Sequence, residues 1–150
     1  SNSAAGFGGR AIDQAAHRIG MQYGVHNIYH MIGSEGSGQR ALFSLANLHQ
    51  PGEFDLEKLA ELKTPGVILF MIVPCVPDPG QVFARLAGAA NTLCRLLDGR
   101  SVDQEGRSLT PGGLKAIRVQ VDQIAADMRA YGIPPGSETA VRLFGDVAVC

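Results

Sequence analysis

The segment from His26 to Leu48 constrains the fold more than any other part of the chain. It holds two β-rich runs separated by a loop of Gly, Ser and Glu, a pattern that predicts a β-hairpin. Successive side chains of a strand point to opposite faces. In the second run one face holds Leu42, Ser44, Ala46 and Leu48, and the other holds Phe43, Leu45 and Asn47. Both faces are partly apolar, so one can pack against helices and the other must contact further protein or a ligand.

Three further segments carry apolar residues at spacings of three and four residues, which predicts amphipathic helices. These segments are 10–22, 80–97 and 111–131. The last begins at Thr110-Pro111, where threonine is a favoured N-cap and proline a favoured first helical residue. The helices therefore have clear starts and apolar faces that can dock on a sheet.

An apolar run from Val67 to Val73 is about half the length of a membrane-spanning helix, and prolines follow it. It predicts a buried strand. A short helical turn is predicted after Asp55, and a small polar hairpin over 101–109. Because hairpins dominate, the predicted fold class is α+β, an antiparallel β-sheet with three helices packed on one face in a two-layer sandwich.

The chain has 150 residues, which is enough for one domain to bury a core without disulfides or metals. Residues 1–9 are rich in Gly, Ala and Ser and are predicted to be a disordered linker or tag. Residues 10–131 form the predicted domain. Residues 132–150 form a C-terminal extension with a possible extra strand at 139–144.

Composition narrows the function classes. The formal net charge is −1 and 18% of residues are charged, so nothing favours nucleic acid or an anionic membrane surface as a partner. The three cysteines, Cys75, Cys94 and Cys150, are widely spaced and lack the paired spacing of a zinc or redox site. This pattern predicts reduced thiols in a cytoplasmic setting.

Motifs for catalysis or metal binding are weak. The glycine-rich loop at 33–38 lacks the G-K-[ST] ending of a phosphate-binding loop and leads into a strand. His26 and His30 would share a strand face but lie about 13 Å apart at the rise of a strand, too far to share a metal ion alone. Neither Cys75 nor Ser44 lies on a nucleophile elbow. The sequence predicts a non-enzyme with no catalytic residue, metal or cofactor.

The positive signal is a one-sided apolar surface. In the strand after Gly66, alternation places Ile68, Phe70 and Ile72 on a single face. With His26, Ile28, Ala46 and Leu48 they form an apolar sheet surface flanked by Asn47 and Gln50. The residues alone leave three interpretations open for this surface: a further layer of the fold, a dimer contact or a peptide groove.

Several short motifs occur in order and with family spacing. They are Asn27-Ile28-Tyr29-His30, Gly36-Ser37-Gly38, 41–47, Pro51-Gly52 with Phe54-Asp55, 64–67, Phe70-Met71 with Val73-Pro74, and Leu109-Thr110-Pro111. Over about residues 9–131 the chain resembles the C-terminal, FtsZ-binding domain of the bacterial cell-division protein ZipA. The resemblance implies a six-stranded antiparallel sheet backed by three helices.

It also implies a non-enzymatic adaptor that binds the C-terminal peptide of FtsZ in a shallow apolar groove. Members of the family are held at the cytoplasmic face of the bacterial inner membrane by an N-terminal anchor and linker, and they tether and stabilise the Z-ring during septum formation. The groove positions carry over to Val25, His26, Ile28, Ala46, Asn47, Leu48, Gln50, Ile68 and Phe70. The alternatives are a paralogue that binds a different peptide and a small-molecule-binding domain.

The chain departs from the family pattern in three respects. Val25, His26 and Gln50 replace an acidic residue, a methionine and a lysine. Residues 1–9 offer no counterpart to the family's first strand, and the strand-like run at 139–144 lies beyond the usual end. That run is predicted to fill the vacant position, within the chain or in a strand-swapped homodimer.

Overall fold

The computed structural model describes residues 6–33, 40–49, 52–103 and 105–144. The strands in these ranges are β1 (Phe7–Gly8), β2 (Gln22–Tyr23), β3 (Tyr29–Gly33), β4 (Arg40–Asn47), β5 (Lys63–Thr64) and β6 (Val67–Phe70). The α-helices are α1 (Gly9–Arg18), α2 (Pro79–Leu97), α3 (Pro111–Ala130) and α4 (Glu138–Phe144). Short 3-10 helices occupy Val25–Asn27, Leu56–Lys58 and Val73–Cys75.

Strands β2, β3, β4 and β6 form an antiparallel sheet in that order, and β1 pairs antiparallel with β5. The predicted hairpin is present as β3 and β4, although the tip of its loop lies outside the described residues. The α+β class with antiparallel strands is therefore confirmed. The strand predicted over 67–73 is shorter than expected, because the chain turns into a 3-10 helix at Val73 before Pro74.

The core lies between this sheet and the first two helices. Phe43 and Leu45 of β4 are 2% and 0% exposed and pack with Ile12 of α1 and Leu93 of α2. Helix α3 begins as predicted, with the Thr110 hydroxyl accepting a hydrogen bond from the Gly113 amide at 3.0 Å. Its main contacts are with α2 and the 3-10 helix near Pro74 and not with the sheet.

The predicted disorder of residues 1–9 is wrong for Phe7, Gly8 and Gly9. Phe7 and Gly8 pair with Thr64 and Lys63, and Gly9 begins α1. The Gly9 amide also donates to the Leu62 carbonyl at 3.0 Å. The chain therefore has a strand before its first helix, which the sequence patterns missed because a two-residue strand has no periodicity.

The extra strand predicted at 139–144 is wrong, because Glu138–Phe144 forms α4. The Ser137 hydroxyl accepts from the Ala140 amide at 3.1 Å, and Arg142 pairs with Glu138 one turn away. Ala140 is fully buried, and α4 packs on the 3-10 helix at Val73–Cys75. These local contacts outweigh the β-propensity of the segment, so the basis for a strand-swapped homodimer is removed.

Three smaller predictions have clear outcomes. Val102 and Ser108 form the antiparallel bridge expected of a polar hairpin, and Asp55 caps the turn at Leu56–Lys58 by accepting from the Glu57 amide. The expectation of reduced thiols is wrong for Cys75, which is disulfide-bonded, whereas Cys94 is a free thiol.

Candidate functional site: the outer face of the sheet

The face of the sheet that points away from α1 and α2 carries side chains in rows across three strands. Ala46 of β4 lies opposite Ile68 of β6, and Ser44 lies between His30 of β3 and Phe70 of β6. Extending the register by one residue places Ile28 beside Ala46. We call this surface the outer face and define it by Ile28, His30, Ser44, Ala46, Leu48, Ile68 and Phe70.

The outer face has a contiguous apolar region that solvent can reach. Leu48 and Ile68 are 49% and 43% exposed, and Ala46 and Phe70 are partly exposed. Val25, in the turn before β3, is 67% exposed at its edge. Large apolar side chains in such a cluster mark interaction surfaces more often than isolated ones do. The predicted residues Val25, Ala46, Leu48, Ile68 and Phe70 therefore come together on an accessible surface.

Ile28 also belongs to this face but is only 6% exposed. It lies outside the main core cluster. Because so little of its side chain is exposed, a ligand can reach little of it.

The sequence predicts that His26 and His30 share a strand, and this prediction is wrong. His26 lies in the 3-10 turn Val25–Asn27, where it and Asn27 have left-handed backbone angles with φ of 61° and 58°. Hydrogen bonds hold this turn at both ends: the Asn27 amide donates to the Gly24 carbonyl at 2.9 Å, and the Phe54 amide donates to the Asn27 carbonyl at 2.8 Å. His26 is exposed at the edge of the outer face.

His30 and Ser44 form a buried polar pair in the middle of the outer face, 5% and 2% exposed. The His30 Nδ1 atom lies 2.8 Å from the Ser44 Oγ, and Nε2 lies 2.8 Å from the Val25 carbonyl oxygen. Both ring nitrogens are therefore occupied by protein partners. Sequence reasoning considered these two residues for metal binding and nucleophilic chemistry. Their alternation with Ile28 and Ala46 is the signal that places them on this face.

Asn47 is a predicted groove residue whose side chain lies elsewhere. It is 7% exposed, and its Oδ1 accepts from the Thr64 hydroxyl at 2.7 Å and from the His49 amide at 3.2 Å. Its Nδ2 donates to the Glu53 carbonyl at 3.4 Å. Because Asn47 follows Ala46 in the strand, its side chain points away from the outer face. Its hydrogen bonds tie β4 to the segments around β5, which is a structural role.

The last predicted groove residue, Gln50, lies outside the described residues. A void of about 10 Å³ borders Ser44 and Phe70, which is about the space one water molecule needs and too little for a metabolite. This void therefore offers no room for a small molecule beside the apolar part of the outer face.

An aromatic cluster stiffens the sheet from the opposite side. Tyr29 is fully buried, and its ring packs edge-on against Tyr23 and Phe54 with centroids 5.5 and 5.3 Å away. Burial raises the pKa of the Tyr29 hydroxyl well above its usual value, and the hydrogen bond it donates to Asp13 at 2.5 Å acts in the same direction. Tyr23 donates to the Phe54 carbonyl at 2.6 Å, which fixes the segment that returns to the Val25–Asn27 turn.

Metal sites and membrane-spanning helices are not evident in the part of the chain that the structure describes. Within those residues, no group of three or more His, Cys, Asp or Glu side chains is placed to hold a metal ion. No helix there is long and apolar enough to cross a membrane.

Comparison with protein families identifies the family to which this chain belongs. The family model described as ZipA, C-terminal FtsZ-binding domain, matches residues 1–120. The chain belongs to this family. The matched region includes β1 and every residue of the outer face, whereas the end of α3 and all of α4 lie beyond it. The resemblance drawn from the sequence motifs is confirmed, and so is FtsZ as the partner of the domain.

Proposed function

We propose that this domain is a cell-division adaptor that binds the C-terminal peptide of FtsZ on the outer face of its sheet. The observation that carries the proposal is an apolar cluster on the face of the sheet opposite α1 and α2, in which Leu48 and Ile68 are exposed and Ala46 and Phe70 are partly exposed. In a family defined by FtsZ binding, this is the surface on which a short amphipathic segment can bury its apolar side.

The peptide lies over the Ala46–Ile68 row, with Val25 and Leu48 at the margins and Phe70 as the largest contact. Such a shallow surface offers a few apolar anchors, each contributing about 1–2 kcal/mol of binding free energy. The affinity of one domain for one peptide is therefore modest. His26 borders the surface as a polar neighbour, and Asn47 is not among the contacts.

In the cell, the domain acts at the cytoplasmic face of the inner membrane, held there by an anchor that precedes it in the parent protein. Its binding of FtsZ tails tethers filaments to the membrane and stabilises the Z-ring. No catalytic step is part of this role.

Titration of a fluorescently labelled FtsZ C-terminal peptide tests the proposal. Phe70→Ala removes an aromatic anchor, and the affinity is expected to fall roughly tenfold, which corresponds to about 1.4 kcal/mol. Ile68→Asp places a charge in the apolar contact and is expected to abolish binding. Ile28→Asp is a poor test because Ile28 is buried and the substitution would also destabilise the fold.

Ile124→Asp is the matched control for Ile68→Asp. Ile124 lies on α3 and is 46% exposed, close to the 43% of Ile68, but it belongs to a helix that packs on α2 and is not part of the outer face. This variant is expected to bind like the wild type. Equal binding by the Ile68→Asp and Ile124→Asp variants would contradict the proposed surface.

A further inference from the structure

We propose that His30 is a positioning residue for the peptide site, holding the Val25–Asn27 turn in its binding form through a hydrogen bond to the Val25 carbonyl. The inference rests on the proposed function, because Val25 and His26 of this turn form one margin of the peptide surface. His30 itself is 5% exposed and contributes little to direct contact.

The turn requires support from outside itself. His26 and Asn27 are consecutive residues with φ near 60°, a conformation that is unfavourable for residues with a Cβ and that persists only where the surrounding structure imposes it. Asparagine and histidine adopt this region more often than most residues with a Cβ do, but two such residues in succession still need support from the surrounding structure. The supports at the two ends of the turn come from backbone amides, and the support beneath its first residue comes from His30.

The chemistry of the partners fixes the roles of the two ring nitrogens. A carbonyl oxygen can only accept, so Nε2 carries a hydrogen and donates it to Val25. In the neutral ring Nδ1 then accepts, and the Ser44 hydroxyl donates to it at 2.8 Å. Ser44 thereby holds the ring in the orientation and tautomer that aim Nε2 at the turn.

Histidine suits this position because its two nitrogens lie on different sides of a rigid ring. One reaches Ser44 on β4 while the other reaches the turn that precedes β3. Asparagine can mimic the Nδ1 side and glutamine the Nε2 side, but neither amide spans both partners. The pair therefore links the middle of the outer face to its margin, so that the margin is ordered before a peptide arrives.

Amide hydrogen exchange and peptide titration of His30→Asn, His30→Gln and Ser44→Ala test this role. His30→Asn loses the donor to Val25, and the amide of Asn27 is expected to exchange roughly tenfold faster, with no change at the Leu45 amide in β4. Peptide affinity is expected to fall about fivefold because the turn must then be ordered on binding. His30→Gln is expected to keep the exchange rate of the Asn27 amide and the peptide affinity near their wild-type values. Ser44→Ala is expected to give values between those of His30→Asn and His30→Gln.

Unchanged exchange at Asn27 and unchanged affinity in His30→Asn would overturn the proposal, as would equal losses in His30→Asn and His30→Gln. The nitrogen-15 spectrum of the wild-type imidazole gives a test that needs no variant. It is expected to show the hydrogen of the neutral ring on Nε2, and a hydrogen on Nδ1 would overturn the proposal even if the substituted proteins did not fold.

These outcomes are separable from those of the proposed function. Failure of the wild-type domain to bind the FtsZ peptide would refute the proposed function and, with it, a role of His30 in peptide binding. Binding by the wild type together with an Asn27 amide that is insensitive to His30 would refute only the positioning role.

Discussion

Asn47 and Leu48 are neighbours in the chain with opposite surroundings. Asn47 makes three hydrogen bonds on the core side of the sheet, whereas Leu48 is half exposed at the margin of the outer face. A substitution at each position should therefore affect a different property of the domain.

Asn47→Ala is expected to lower the free energy of unfolding by about 1–3 kcal/mol, because buried hydrogen-bonding partners lose their contacts. Peptide affinity should stay at the wild-type value. Leu48→Ala is the complement: it should weaken peptide binding and change stability little. Chemical denaturation and peptide titration of both variants measure the two effects, and a loss of affinity in a stable Asn47→Ala variant would return Asn47 to the peptide contacts.

Tyr29 makes the stability of the folded domain depend on pH in the alkaline range. Its pKa in the folded state is raised above the value of about 10 in an unfolded chain, so the folded state keeps the hydroxyl proton to higher pH than the unfolded chain does. The resulting stability is fully present below about pH 10 and is lost as the pH rises further. Tyr23 acts in the same direction, through burial and the nearby carboxylates of Asp55 and Glu53.

Tyr29→Phe is expected to reduce the loss of stability between neutral and strongly alkaline pH. Tyr131→Phe is the control, because Tyr131 is 84% exposed and should leave the pH dependence unchanged. Urea unfolding across this pH range makes the comparison. The same alkaline slope in the Tyr29→Phe variant and the wild type would show that Tyr29 does not titrate differently on unfolding.

At the scale of elements, α4 is docked through a tight contact at Gly136. The Gly136 amide donates to the Pro74 carbonyl at 2.8 Å, and its carbonyl accepts from Arg40 at 3.0 Å. Gly136 has φ of +75°, and a Cβ at this position would lie 2.4 Å from the Pro77 nitrogen. Side chains are thus excluded here by backbone conformation and by space.

Gly132 separates these two effects. It has φ of +76°, but a Cβ there would meet nothing within 4 Å. Gly132→Ala should cost roughly 1–2 kcal/mol from the left-handed backbone alone. Gly136→Ala should cost about 1–3 kcal/mol more through overpacking against Pro77 and should release α4. Denaturant unfolding and limited proteolysis of the two variants test this, and equal stabilities would show that the approach to Pro77 is unimportant.

The elements differ in how well the sequence predicts them. Helices α1, α2 and α3 were predicted because each carries a long apolar period, and α3 also has its Thr110 cap. Strand β1 and helix α4 were missed for different reasons. Two residues are too few to show a pattern, and the strand-like composition of 139–144 hides helix-stabilising contacts with Ser137 and with the Val73–Cys75 turn.

At the scale of the molecule, the sheet has one face that packs on the core and one that we propose for the partner. Alternation in β4 and β6 predicted which side chains lie on the accessible face, because successive residues of a strand point to opposite faces of the sheet. It could not predict the left-handed turn at His26 and Asn27, since few residues with a Cβ adopt that conformation and contacts from other segments hold it. The exposed apolar cluster was therefore predictable, whereas its margin was not.

A shallow face with few anchors has a consequence for assembly. If each domain binds one FtsZ tail weakly, two domains joined by a flexible linker should bind filaments far more tightly than one, because the second contact forms at high effective concentration. The gain is expected to reach roughly 10²-fold if the linker spans two neighbouring tails.

Co-sedimentation with FtsZ filaments can measure this gain with three proteins of similar size: the intact pair, a pair with Ile68→Asp in one domain, and a pair with Ile68→Asp in both. The singly substituted pair should bind like one domain, because its second contact cannot form, and the doubly substituted pair should stay in the supernatant. On free peptide, which offers only one tail, the intact pair should bind no more tightly than the singly substituted pair. If the singly substituted pair bound filaments as tightly as the intact pair, the outer face of each domain could not be the contact that multivalency strengthens.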